Sequence, residues 1–276
     1  GKVFLDKNGN GIQDRSEHGI KAVPVSNGRD VVLTDKDGNF SISVADGESL
    51  FPIFPSGYTS SSGDIIRSSD FLFKTRQSKD KVDFALKKEK QPEHFTLGAI
   101  GDIQMGNPQE LDYANQTIIP ELAGRKDIQL AVWLGDLVNN RLELFEDVRE
   151  MIRCTEIPSW VLPGNHDRIT NGHTLQDSLF NCYFGASAYA FNYGNVHFII
   201  LNNVAPDSKR GYKARISDRQ MTFIKNDLSY VPKDRFVVFC QHIPLVHTEN
   251  IEDLKTLLNG RNKLFALSGH THRVSR

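Results

Sequence analysis

From Phe95 onward the chain alternates short apolar runs with stretches of helical spacing, and this alternation limits the fold more than any other feature. Residues 95–100, 129–134, 160–162, 236–240 and 263–267 are apolar and too short to be core helices, so they predict buried strands. Between them, residues 108–122, 142–153, 218–228 and 251–258 space their apolar side chains three or four apart, as amphipathic helices do. Residues 189–192 and 196–201 flank Tyr193-Gly194-Asn195 and predict a hairpin. Strands and helices in alternation imply a layered α/β domain over residues 95–276.

The first 88 residues have a different character. Apolar runs at 3–5, 22–26, 31–33, 40–44, 50–54 and 82–86 are separated by turn residues, with no useful helical period. Asp37-Gly38 predicts a hairpin joining 31–33 to 40–44, because glycine tolerates the positive φ of such turns. A small all-β sandwich follows for residues 1–88. The charged, proline-containing stretch 89–94 has almost nothing to bury and reads as a linker.

Charge and cysteine content narrow the partners. With 33 basic and 34 acidic residues, the chain has no long-range pull towards nucleic acid or an anionic membrane. No apolar run reaches the roughly 18 residues of a membrane-spanning helix. Cys154, Cys182 and Cys240 lack the pairing of a disulfide framework and the spacing of a structural zinc site. Cys240, inside an apolar run, is expected to be a buried structural thiol.

The polar residues carry the functional information. Each of five predicted strands ends in a cluster of potential metal ligands: Asp102 and Gln104, Asp136, Asn165 with His166 and Asp167, His242, and His270 with His272. Ligands of α/β sheets bind beyond the carboxyl ends of the strands. Residues two apart in extended chain point the same way, so Asp102 can act with Gln104, and His270 with His272. Asp136 stands alone, and its two oxygens suit a bridge between two ions. Glycine precedes four of the clusters, leaving room for a tight turn and a metal. One strand-end Asp or His is usually a cap or a surface group; five clusters in one domain are not a coincidence.

The ordered series resembles the calcineurin-like metallophosphoesterase superfamily, with its D-x-H, GD, GNH[DE], H and GHxH blocks over roughly residues 95–272. The N-terminal part is similar to the β-sandwich that precedes the catalytic domain in a bacterial subfamily. Members of that subfamily usually continue into a further domain, so this chain is expected to be a fragment. The resemblance implies two transition-metal ions (manganese, zinc or iron). One would be held by Asp102, Gln104, Asp136 and His272, the other by Asp136, Asn165, His242 and His270. It also implies a metal-bridging hydroxide as nucleophile and His166 as the acid or transition-state stabiliser. Two divalent ions would outweigh the charge of Asp102 and Asp136 and leave a pocket suited to a phosphate anion. Gln104 departs from the family's usual histidine, and an amide oxygen is a harder, weaker ligand than imidazole. Asn139 stands where related protein phosphatases carry a carboxylate that supports the histidine. Asn139, Arg168 and His247 lie beside the motifs and are candidate substrate contacts, and loops such as 202–212 are candidate pocket walls.

A second metal motif lies in the first domain. Asp6, Asn8, Asn10, Ile12, Asp14 and Glu17 fit every specified position of a twelve-residue calcium loop, but no helical pattern flanks them. The expected function is hydrolysis of a phosphomonoester, phosphodiester or pyrophosphate bond in a phosphorylated small molecule, lipid or sugar. The competing expectation is an envelope-associated binding or adhesion protein whose phosphoesterase domain is vestigial. A periplasmic, outer-surface or secreted location is the expectation that accompanies the sandwich.

Overall fold

The computed structural model describes residues 1–75, 81–171 and 174–273. The α/β part contains two main sheets. In the first, Ser159–Val161, Ile128–Trp133 and Thr96–Ile100 run parallel in that order. In the second, Tyr189–Tyr193 pairs antiparallel with Val196–Leu201, which runs parallel to Phe236–Gln241, itself parallel to Leu264–Ser268. The strands that lead into the five polar clusters are thus parallel neighbours within their own sheets. Their residues are buried on both faces in Ile128–Trp133 and Phe236–Gln241, which explains continuous apolar runs rather than alternation.

The helices differ from expectation in two places. The segment expected to form one helix over 108–122 is two helices, Pro108–Gln116 and Ile118–Gly124, broken at Thr117 with φ −121° and ψ −67°. Pro120 has no N–H to donate to the Gln116 carbonyl, so an uninterrupted helix would lose a bond there. The stretch 142–153 begins as a 3₁₀ turn, Leu142–Leu144, before the helix Phe145–Arg153. Asp218–Leu228 forms as expected, with the Ser217 hydroxyl accepting the Gln220 N–H at its start.

No helix occurs among the described residues of 1–94. Lys2–Leu5, Asp83–Lys88 and Tyr58–Ser60 make one sheet, and Val31–Leu33, Pro24–Ser26, Ser49–Pro52 and Leu72–Phe73 make another. The expected hairpin across Asp37-Gly38 does not form, and 40–44 is not a strand. Asp35 Oδ1 instead accepts the N–H groups of Asp37 and Asn39, closing a tight turn. That turn lays the chain against the N-terminal strand: Val3 donates to the Gly38 carbonyl, and Phe40 to that of Gly1.

The two parts share one hydrophobic core. Phe51 meets Tyr189 and Phe223 edge-on, at centroid distances of 6.3 and 5.9 Å, and Phe54 meets Trp160 at 5.6 Å. Burying each such ring stabilises by roughly 1.5–3 kcal/mol. Backbone bonds reinforce the contact: Ser159 donates to the Ile65 carbonyl, Arg67 to that of Ser159, and Asn192 to that of Phe54. The expected linker is itself pinned, since Gln91 Oε1 accepts N–H groups from Gly57 at 2.8 Å and Gly194 at 2.9 Å.

A charged clamp closes the same junction. Arg153 Nε and Nη2 reach the two carboxylate oxygens of Asp64 at 3.1 and 2.6 Å. Burial alone would push the Asp64 carboxyl up; the Arg153 guanidinium, the Ile66 N–H and the Ser69 hydroxyl outweigh it and hold it below the usual range. A depressed folded value means that the contribution is full above the unfolded value of about 3.9 and fades as pH falls through the folded one. Asp64→Asn is therefore expected to cost about 1–2 kcal/mol in urea unfolding at pH 7, and progressively less below about pH 4. An equal loss at both pH values would contradict the pairing.

Candidate metal centre

The five clusters meet at the ends of their strands through an unbroken series of contacts. Asp136 lies at the middle, 1% exposed. Its Oδ2 accepts from the Gln104 amide at 2.9 Å and lies 3.3 Å from His242 Nε2, while its Oδ1 accepts the His166 N–H at 3.0 Å. His242 Nε2 is 3.0 Å from Asn165 Oδ1 and 3.1 Å from His270 Nδ1. Both Asp102 oxygens accept the His270 N–H at 2.9 Å, and Oδ1 lies 3.4 Å from His272 Nε2. His242 is fixed from behind by the Leu134 carbonyl, 2.9 Å from Nδ1, which leaves Nε2 facing the cluster.

The backbone is bent to achieve this. Asp102, Gln104, Asp136, His270 and His272 all have positive φ, between 43° and 72°, and make up five of the eight such non-glycine residues described. Each costs of order 1–3 kcal/mol and persists only where its surroundings impose it. The loops are cross-tied beyond the strands: Asp102 donates to the Gly135 carbonyl, Gln104 to that of Asp136, and Gly269 to that of His242. Gly164 is required by contact rather than by φ, because a Cβ there would collide with Asp136 Oδ1 and the Asp136 backbone nitrogen.

Charge follows the same geometry. Burial would raise the Asp136 carboxyl, yet the hydrogen bond and charge of His242, with the His166 N–H and Gln104 amide, hold it at about 2. Burial works against a charged His242, but Asp136 prevails and moves the imidazole up. His270 moves down, through burial and then repulsion by His242. Asp136, His242 and His270 have ligand atoms within 4.8 Å of one another, the one such His/Cys/Asp/Glu group among the described residues. Two imidazoles, a carboxylate and the amide oxygen of Asn165 are a donor set that fits a zinc, iron or manganese ion. His166 Nδ1, buried beside them, has no hydrogen-bond partner among the described residues.

Asp167, named in the motif but given no role from sequence, is the residue that binds two of these loops together. Fully buried, it accepts the Val138 N–H on Oδ1 at 3.0 Å and the Gly164 N–H on Oδ2 at 2.8 Å. Burial pushes its carboxyl up. The signal in the sequence was an acidic residue directly after the histidine of a glycine-led loop.

The candidate substrate contacts separate. Arg168 is 7% exposed and bonds to Asp177 and to the Val204 carbonyl, so it anchors a neighbouring hairpin instead of offering a free cation. Asn139 is exposed and makes no hydrogen bond with His166; among the described residues its side chain receives only a long 3.5 Å contact from the Asn140 amide. His247 is exposed on the 3₁₀ turn Leu245–His247, near enough for its charge to act on His270. In the N-terminal loop, Asp6 accepts the Gly9 and Gly11 N–H groups, Glu17 those of Lys7 and Asp14, and the Asn8 and Asn10 amides both donate to Asp14. Ile12 is 68% exposed and donates its N–H to Asn10 Oδ1. These groups are brought together, but the loop's carboxylates already accept from its own backbone and side-chain amides.

Residues 95–274 match the family model described as calcineurin-like phosphoesterase, and residues 7–89 match its N-terminal companion. The chain belongs to the calcineurin-like phosphoesterase family. A 3′,5′-cyclic-nucleotide phosphodiesterase of Nostoc sp. is 26% identical over 164 residues, which cover 55% of this chain and 59% of the relative. A protein of Arcobacter nitrofigilis, named a probable glycerophosphodiester phosphodiesterase, is 24% identical over 166 residues, 53% of this chain and 57% of its own length. The match thus spans less than three fifths of either relative. A dimetal phosphatase from Danio rerio is a more distant structural likeness, with a TM-score of 0.46 and 16% identity over 64% of this chain and 82% of that one.

For this calcineurin-like phosphoesterase chain, Gly164→Ala is the sharpest test of the packing at Asp136. The added methyl group is expected to displace the carboxylate and abolish tight manganese binding in calorimetry, while the far-ultraviolet spectrum stays native. Wild-type manganese affinity in the variant would contradict the contact.

Proposed function

We propose that this protein hydrolyses phosphodiesters with two metal ions held on Asp136. Asp102, Gln104 and His272 would complete one position, and Asn165, His242 and His270 the other. The observation that carries this reading is the placing of Asp136 between Gln104 and His242, at 2.9 and 3.3 Å, one residue from each of the two positions. When bound, such ions act as Lewis acids and bring the pKa of coordinated water towards roughly 7.

The chain's own groups supply orientation and proton transfer. Asp136 keeps its negative charge throughout the neutral range, so it remains an acceptor and a ligand. His166 is fixed through its backbone by Asp136 Oδ1, but its Nε2 is 3.9 Å from Asp136 Oδ2, beyond hydrogen-bond reach. Its imidazole is therefore available to carry a proton to the departing oxygen. Metal ligation by Asp136 and proton donation by His166 divide the work between two adjoining groups.

Diesters are favoured over monoesters on two grounds. Both curated relatives are named as phosphodiesterases. Two arginines beside the motifs are engaged: Arg168 by Asp177 and Val204, and Arg141 by Glu143 and the Gly106 carbonyl. A singly charged diester needs less neutralisation than a doubly charged monoester. The preserved series from Asp102 to His272 speaks against the binding-protein alternative.

Two measurements test the reading. With manganese, zinc or iron restored, bis(p-nitrophenyl) phosphate is expected to be hydrolysed at least tenfold more efficiently than p-nitrophenyl phosphate, and a chelator is expected to stop turnover. Chelator-insensitive activity or a preference for the monoester would oppose it. His166→Ala is expected to retain both metals while losing about 10² to 10⁴ in rate on a diester with an alkyl leaving group. Unchanged turnover on that substrate would remove His166 from the proton transfer.

A further inference from the structure

One hydroxyl beside the centre has no acceptor among the described residues. Tyr212 lies on Gly211–Ala214, which pairs antiparallel with Val204–Asp207 to form a hairpin. The hairpin is tied down at its base, where the Val204 carbonyl accepts from Arg168 and the Arg215 N–H donates to the Asn203 carbonyl. Lys213 adds an ion pair to Glu249 at 2.9 Å. Because Arg168 directly follows Asp167, the hairpin is fastened to the same loop that carries Asn165 and His166.

This anchoring holds the Tyr212 ring edge-on to the His270 imidazole, with centroids 6.0 Å apart and planes at 83°. The residue is partly buried, and its hydroxyl makes no hydrogen bond with another described residue. The hydroxyl is not one of the atoms buried without a partner, so it stays open to the solvent that a substrate would displace. A phenol stays protonated at neutral pH, so the group is a donor. The neighbouring Arg168 is turned away to Asp177, so Tyr212 is the neutral donor that this edge of the site presents.

We propose that Tyr212 binds substrate, its hydroxyl donating a hydrogen bond to a non-bridging oxygen of the phosphoryl group while its ring braces His270. The inference rests on the phosphodiesterase reading above and deepens it. A neutral donor here matches a singly charged diester, where an arginine would favour the doubly charged monoester.

Tyr212→Phe keeps the ring against His270 and removes only the hydroxyl. It is expected to lower kcat/KM for bis(p-nitrophenyl) phosphate roughly tenfold, and to weaken competitive inhibition by inorganic phosphate by a similar factor. Metal content and Tm should match the wild type. Wild-type values for both kinetic quantities would overturn the proposal. So would a variant that loses metal in step with activity, since the residue would then act by holding His270 alone. A wild type that cleaves the diester while the Phe variant equals it removes only the role of Tyr212. A metal-free, inert wild type removes the phosphodiesterase reading and this inference with it.

Discussion

The buried carboxylate of Asp136 is the constraint around which the α/β part is arranged. A charge in this position is costly to withdraw from water, and it persists because donors reach it from three directions: an amide, an imidazole and a backbone N–H. Those donors come from loops after strands in both sheets. Parallel strands make that possible, because they bring successive carboxyl ends to the same side. The positive φ values of five residues in the cluster are the conformational cost of aiming these groups at one point, offset by the rigid strands behind them.

The N-terminal part contributes to that rigidity. It does not hang from a flexible tether, since Phe51, Phe54 and Phe71 enter the core of the larger part. Gln91 bonds to both parts at once. Ser159, at the start of a strand leading to Asn165 and His166, is held on its open edge by Ile65 and Arg67. A movement of the N-terminal part would therefore be felt by the loop that carries Asn165 and His166.

Much of the centre was legible in the sequence because its polar residues cluster directly after predicted strands. The extended chain expected to pair Asp102 with Gln104, and His270 with His272, is not what forms: all four residues have positive φ, and the bent loops bring them together instead. Side-chain direction was not legible. Arg168 is next to the motif in sequence yet points to Asp177, and Asn139 lies three residues from Asp136 without meeting His166. The Asp37-Gly38 turn was located correctly, but its strand partner was misassigned, because turn chemistry fixes a reversal without saying which edge is free. Likewise, helical periodicity ran through Thr117 while the missing N–H of Pro120 stopped the hydrogen-bond ladder. The charge of 89–94 suggests a linker, yet Gln91 Oε1 and the bonds of Glu89 to Gly57 and Arg67 pin it.

The most direct measurement is anomalous diffraction from manganese-loaded crystals. Two peaks should appear with Asp136 between them, one reached by Asp102, Gln104 and His272, the other by Asn165, His242 and His270. A lone peak, or peaks that Asp136 does not touch, would contradict the account.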